Sequence, residues 1–135
     1  MPWSEDQLRA IASRDDFRIA PFRADGVTPG TLIWVWSAVV DDGVFVRSAN
    51  PASRWFAAAR SQRAGIAESA GARLAVRFDH VLDERLRDRV DEAFAAKYGA
   101  DPYFAPEILR RSREQIARVT PDSAVTPDFA EVGGS

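Results

Sequence analysis

Arg47 and Ser48, followed at 53 and 54 by Ser53 and Arg54, are the side chains of this chain best suited to hold an anion. Guanidinium groups offer forked, charged hydrogen bonds that match phosphate and carboxylate oxygens. Ser53 reads as the N-cap of a helix over residues 53–60. The first-turn amides and the positive dipole end of such a helix attract phosphate. An alternative stays open at this point: Ser53 only caps the helix, and the arginines pair with aspartates and glutamates. Trp34, Trp36 and Trp55 can stack on a planar ring, although burial in a core or subunit interface is the commoner use of such rings. Lys97 is the one lysine beside seventeen arginines. Charge alone does not account for it, so it is carried as a candidate ligand or interface residue. Arg23, Asp25 and Gly26 form a charged loop that either covers a pocket or is a solvated turn. His80 has no second His or Cys to make a metal site with it, and no Ser-His-Asp arrangement can be built on it. The chain has no cysteine, which excludes disulfides, thiolate nucleophiles and thiolate metal ligands.

Positioning these residues falls to a hairpin. Residues 31–40 are apolar on both faces, with Ile33, Val35 and Val39 on one and Leu32, Trp34, Trp36, Ala38 and Val40 on the other. A strand dry on both sides sits centrally or runs under a partner. The Asp-Asp-Gly43 step then predicts a tight turn in which glycine supplies the positive φ, and a return strand follows to Arg47. Ahead of the hairpin, Ser4-Glu-Asp-Gln7 is a capping box, with Trp3 and Leu8 as its hydrophobic staple, so a helix is predicted over 4–13. A short strand over 16–20 and a loop over 21–30 come next. After the helix at 53–60, strands are predicted over 65–69 and 72–79, the second half-buried with Leu74, Val76 and Phe78 inward. Asp83 opens a helix in which Leu86, Val90, Ala93, Phe94, Lys97 and Tyr98 share a stripe, with Gly99 closing it. Pro106 suits the first position of a short helix to Arg111. Residues 115–119 read as a closing edge strand.

The chain of 135 residues is expected to be one domain over 1–120, with a flexible tail over 121–135. Strands this close in sequence are mostly antiparallel. The economical fold is α+β, a mainly antiparallel split β-barrel with peripheral helices. A net charge of −2 gives no electrostatic case for a nucleic-acid partner. No window approaches the roughly 20 apolar residues of a membrane helix, and the acidic start does not read as a secretion signal. A cytoplasmic protein is expected. Phosphate-loop and dinucleotide fingerprints are absent, the Gly133-Gly134 pair lying in the tail.

Several blocks in fixed order carry a family resemblance: Ala20-Pro-Phe-Arg-Ala-Asp-Gly26, Ile33-Trp34-Val35-Trp36, Val46-Arg47-Ser48, Ser53-Arg-Trp-Phe-Ala-Ala58, Ala64-Gly65-Ile66, and Asp91-Glu-Ala-Phe-Ala-Ala-Lys-Tyr98 with Pro102-Tyr103. On these the chain, over residues 17–121, resembles the uncharacterised family known as domain of unknown function 2255. Members often carry Tyr where this chain has Phe56 and Phe94. The family is in turn similar to the flavin-binding split barrels. That resemblance implies a homodimer binding FMN or a deazaflavin at the subunit interface, with Arg47, Ser48, Ser53 and Arg54 on the phosphate. Trp55, Trp34 and Lys97 complete the candidate cofactor-binding set. The leading expectation is an oxidoreductase-like flavin protein whose catalytic residues are unknown. The alternatives are a non-catalytic module for a small anionic ligand and a structural dimer on the same barrel.

Overall fold

The computed structural model describes residues 3–50, 52–104 and 106–123. In chain order these form α1 (Glu5–Ser13), β1 (Arg18–Pro21), β2 (Ile33–Trp34), β3 (Trp36–Val40), β4 (Gly43–Arg47) and α2 (Arg54–Gln62), then β5 (Ala64–Ser69), β6 (Ala72–His80), α3 (Glu84–Tyr98), α4 (Pro106–Ser112) and β7 (Ile116–Pro121). The seven strands make one sheet in the order β2-β1-β5-β6-β7-β4-β3, and every neighbouring pair is antiparallel. Strands β2 and β3 stand at opposite ends of that order, yet only Val35 separates them in the chain. The sheet must therefore curl until its two ends meet. The result is the expected α+β split barrel.

This geometry corrects the central place given to residues 31–40. The segment is a seam: its first part pairs with β1 (Ile33 opposite Ile19), Val35 N–H donates to the Phe17 carbonyl at 3.1 Å, and its second part pairs with β4. Its two faces are as the alternation predicts. Ile33, Val35 and Val39 join the barrel interior, whereas Trp36, Ala38 and Val40 join a separate outer layer. Trp34 departs from the dry reading, at 45 % exposed.

The interior is filled by Phe17, Ile19, Val44, Val46, Val76, Phe78, Ala117 and Val119, with Ile11 contributed by α1, Trp3 by the residues just ahead of it, and Phe56 and Ala59 by α2. Alternate residues of β4 and β7, Phe45 and Ile116, point the other way and pack under α3 and α4 against Val90, Phe94, Tyr98 and Phe104. Strand β7, expected at an edge, is interior to the sheet, hydrogen-bonded to β6 on one side and β4 on the other. It can be central because Ile116, Ala117 and Val119 are all buried, so both faces are dry.

Local signals explain the element ends. The Ser4 hydroxyl accepts from Gln7 N–H at 3.1 Å while the Gln7 side chain accepts from Ser4 N–H at 2.8 Å, closing the capping box. The β3–β4 turn is shifted from the expected one. Asp41 takes the positive φ of 53°, and Gly43 already pairs with Val40 as the first residue of β4. Gly43 is needed for space instead: a Cβ there would stand 2.9 Å from the Phe45 ring and 3.2 Å from the Arg118 guanidinium. Helix α3 is capped by the Asp83 carboxylate, and Gly99 ends it in a right-handed conformation. Of the expected tail, Pro121 is part of β7 and the Arg77 guanidinium donates to Asp122; residues 124–135 lie outside the described residues.

Candidate functional site

A cleft of about 800 Å³ opens between two segments of the chain. One runs from the end of β1 through its following loop to β2 and contributes Phe22, Arg23, Thr31 and Ile33. The other leads from β4 into α2 and contributes Ser48, Asn50, Ser53, Arg54, Trp55 and Ala58. Its volume is in the range of small-molecule sites. A second cleft of about 220 Å³ adjoins it, sharing Ser48, Asn50 and Trp55 and lined further by Trp34 and Trp36.

Each lining residue has a local reason to be there. Ser53 caps α2, its hydroxyl accepting from Phe56 N–H at 3.2 Å, which leaves first-turn amides without intrahelical partners beside the cleft. Ser48 and Asn50 form a small turn: Asn50 N–H donates to the Ser48 hydroxyl at 3.3 Å, and Asn50 Oδ1 accepts from Ala52 N–H at 3.0 Å. The buried side of α2 carries Phe56 and Ala59 into the barrel. That anchors the helix and leaves exposed Arg54 and half-buried Trp55 at the cleft. Neither Arg54 nor Arg23 has an ion pair with any described residue. No aspartate, glutamate, histidine, lysine or tyrosine lines the cleft among the described residues.

Ser48, Ser53, Arg54 and Trp55 are thus brought together as the sequence suggests. Arg47 is not. Successive residues of a strand face opposite ways, so Arg47 turns from the cleft to the layer beneath α3 and α4. There it is 1 % exposed. Its Nη1 lies 2.8 Å from Asp91 Oδ1, its Nε donates to Ser112 Oγ at 2.8 Å, and its Nη2 donates to the Leu109 carbonyl at 3.0 Å. The Asp91 contact is charge-dominated, since its angles leave both atoms without an aligned hydrogen bond. Burial lowers the Arg47 pKa and Asp91 opposes that shift. The guanidinium also stacks on Phe94, 5.0 Å from the ring centre. For Arg47 the ion-pair alternative is the one realised.

Lys97 is also placed elsewhere. Its Nζ donates to the Ile11 carbonyl in the last turn of α1 at 3.0 Å and to the Ser37 carbonyl at 2.8 Å. A cation there ties α3 to the negative end of the α1 dipole. Burial lowers its pKa, against the pull of Asp15 and Asp16. Next to it the Tyr98 hydroxyl donates to Asp15 Oδ1 at 2.7 Å and accepts from Ser37 N–H at 3.1 Å, and burial raises the Tyr98 pKa strongly. Trp34 lies in the adjoining cleft, edge-on to Trp36 at 6.0 Å, with its indole N–H bonded to the Asp15 carbonyl. His80 packs edge-on against Phe56 and bonds the Glu114 carbonyl. Arg23, expected in either a pocket cover or a solvated turn, lines the cleft. Among the described residues no group of three acidic or histidine side chains is placed to hold a metal ion, and no helix is long and apolar enough to cross a membrane.

Fold and cleft together define a split-barrel α+β protein with a basic, aromatic-walled cavity at one side of the barrel. Residues 7–119 match the family described as "Uncharacterized protein conserved in bacteria (DUF2255)", and the chain belongs to that family. The crystal structure of the conserved hypothetical protein Rv2991 from Mycobacterium tuberculosis is similar, with a TM-score of 0.62 and 16 % sequence identity, covering 90 % of this chain and 81 % of that one. At that identity the likeness is one of fold. No curated protein matches the chain.

Proposed function

We propose that the cleft between the β1–β2 segment and α2 binds a phosphate-bearing small molecule, with FMN or a deazaflavin the leading candidate, in an oxidoreductase-like homodimer. One observation carries the reading: Arg23 and Arg54 line the same cavity, with no carboxylate on its walls among the described residues. The residues suit the phosphate end of such a cofactor. Arg54 and the Ser48 and Ser53 hydroxyls supply donors beside the first-turn amides of α2. Trp55 offers a wall to a planar ring, and Trp34 and Trp36 extend that wall into the adjoining cleft. When bound, the cofactor supplies hydride transfer. The protein's part is to fix the phosphate, orient the ring and exclude water from one side of it. The second copy of the chain is expected against the exposed Trp34 side.

A second reading is a non-catalytic module for another small anion. It is favoured by the lack, among the described residues, of any lining group suited to general acid or base work.

Titration with FMN and then a deazaflavin, followed by tryptophan fluorescence, separates the two. Saturable quenching at micromolar ligand is expected, and Arg54→Ala should weaken it by about 1.5–3 kcal/mol, the worth of a charged hydrogen bond. Folded protein that is quenched by neither compound would leave the anion module as the better reading. Sedimentation should show a dimer that Trp34→Glu dissociates.

A further inference from the structure

The loop that carries Arg23 is prefolded. Phe22 and Pro29 bridge across it, Arg23 N–H donates to the Thr28 carbonyl at 2.8 Å, and Gly26 N–H donates back to the Arg23 carbonyl at 2.9 Å. The one acid of the loop is fully occupied. Asp25 accepts from the Val27 amide at 2.9 Å, the Thr28 amide at 2.8 Å and the Thr28 hydroxyl. Its carboxyl is held below the usual range first by the Thr28 side chain, then by those amides, with Arg23 the last contributor. Arg23 therefore reaches the cleft on a rigid support and has no salt-bridge partner among the described residues. Arg54 reaches the same cavity from the other flanking segment. The chain as a whole is slightly acidic, at −2, yet among the described residues this cavity collects two positive charges and no negative one.

We infer that Arg23 and Arg54 act as a pair that selects a dianionic ligand, the phosphate monoester class, over singly charged carboxylates. The inference rests on the reading of the cleft given above. A monoanion neutralises one guanidinium and leaves the other's charge facing it across the cavity. A phosphate dianion answers both, and its several oxygens accept the two planar forks at once. Either guanidinium alone serves either anion, so the preference requires both, and removing Arg23 tests the pairing directly.

The experiment compares FMN with riboflavin, which has the same ring without the phosphate, and phenyl phosphate with benzoate, a minimal dianion against a minimal monoanion. Binding is read by tryptophan fluorescence at pH 8, where a phosphate monoester is dianionic. Wild-type protein should prefer phenyl phosphate to benzoate by about tenfold or more. Arg23→Gln should lose about tenfold for FMN and phenyl phosphate and leave riboflavin unchanged. Arg60→Gln, an exposed arginine farther along α2, should behave as wild type. If Arg23→Gln binds FMN as tightly as wild type does, the pairing inference is overturned while the cofactor reading stands. Arg23-dependent binding of phenyl phosphate without FMN binding would uphold the pair and remove the flavin. A protein that binds neither phosphate compound refutes both.

Discussion

Two regions on either side of the β4 exit use the same residue type in opposite ways. Under α3 and α4, arginines are consumed. Arg47 is held by Asp91, Ser112 and Leu109, and Arg113 bridges Asp91 at 2.6 Å, Asp88 at 2.7 Å and Glu84 at 2.9 Å. At the cleft, Arg23 and Arg54 have no such partners among the described residues. The contrast teaches that in an arginine-rich chain the number of arginines says little. What marks a binding cation is the combination of two things: the fold has supplied it no counter-charge, and it opens into a cavity, as Arg23 and Arg54 do.

The strongest way to break that comparison is Asp91→Ala. It removes the counter-charge of a buried guanidinium and should cost about 3–5 kcal/mol in urea denaturation. Replacing both partners together, Arg47→Met with Asp91→Leu, should recover most of that loss, because apolar residues of similar volume often replace a buried pair at little cost. A stable Asp91→Ala protein would mean that the network under α3 is as dispensable as a surface pair. Next in size is Gly65→Ala, at the cleft side of the barrel. A Cβ there would stand 2.4 Å from the Ala20 carbonyl oxygen and 2.7 Å from Pro21 Cα. Forcing β1 and β5 apart should cost about 1–3 kcal/mol, and FMN titration of the variant should show weakened binding.

Tyr98→Phe comes third, with an expected loss of about 1–2 kcal/mol from leaving Asp15 and Ser37 N–H without their partner. It also carries a pH signature. Burial raises the Tyr98 pKa in the folded state, whereas an unfolded tyrosine ionises near pH 10. The stabilisation is therefore complete below about pH 10 and is lost as pH climbs above it toward the folded value. Denaturation midpoints measured from pH 9 to 11 should fall less steeply in Tyr98→Phe than in wild type. The smallest stability effect belongs to Arg54→Gln, within about 0.5 kcal/mol of wild type. Its effect should be confined to ligand affinity. A large stability loss there would place Arg54 in the structural class with Arg47.

Much of the local structure was legible in the chain. The Ser4 and Ser53 caps and the two faces of residues 33–40 all follow from side-chain chemistry and period-two alternation. The neighbours of each strand did not follow. A double-sided apolar run reads as central, yet β3 is covered by α1, α3 and the barrel interior while Trp34 of β2 stays exposed. Residues 115–119 read as an edge, yet they pair on both sides. Both outcomes depend on contacts distant in sequence, which local pattern does not encode. The site was half legible for the same reason. Ser48, Ser53, Arg54 and Trp55 come together because a short turn joins β4 to α2. Alternation turned the Arg47 side chain away from the larger cleft that Ser48 lines. Arg23 reaches the cleft only because β1 and α2 are brought together by tertiary packing, which no local signal announces.

The join at Val35 has a further consequence for solubility. A sheet ordinarily presents two margins whose unpaired amides and carbonyls can recruit a strand from another molecule, the first step toward aggregation. Here one margin is the two-residue β2, and the other, β3, runs beside α1 and α3. Because both belong to a single chain segment, neither can peel away without straining the other. The barrel thereby withholds the template on which intermolecular strand addition depends.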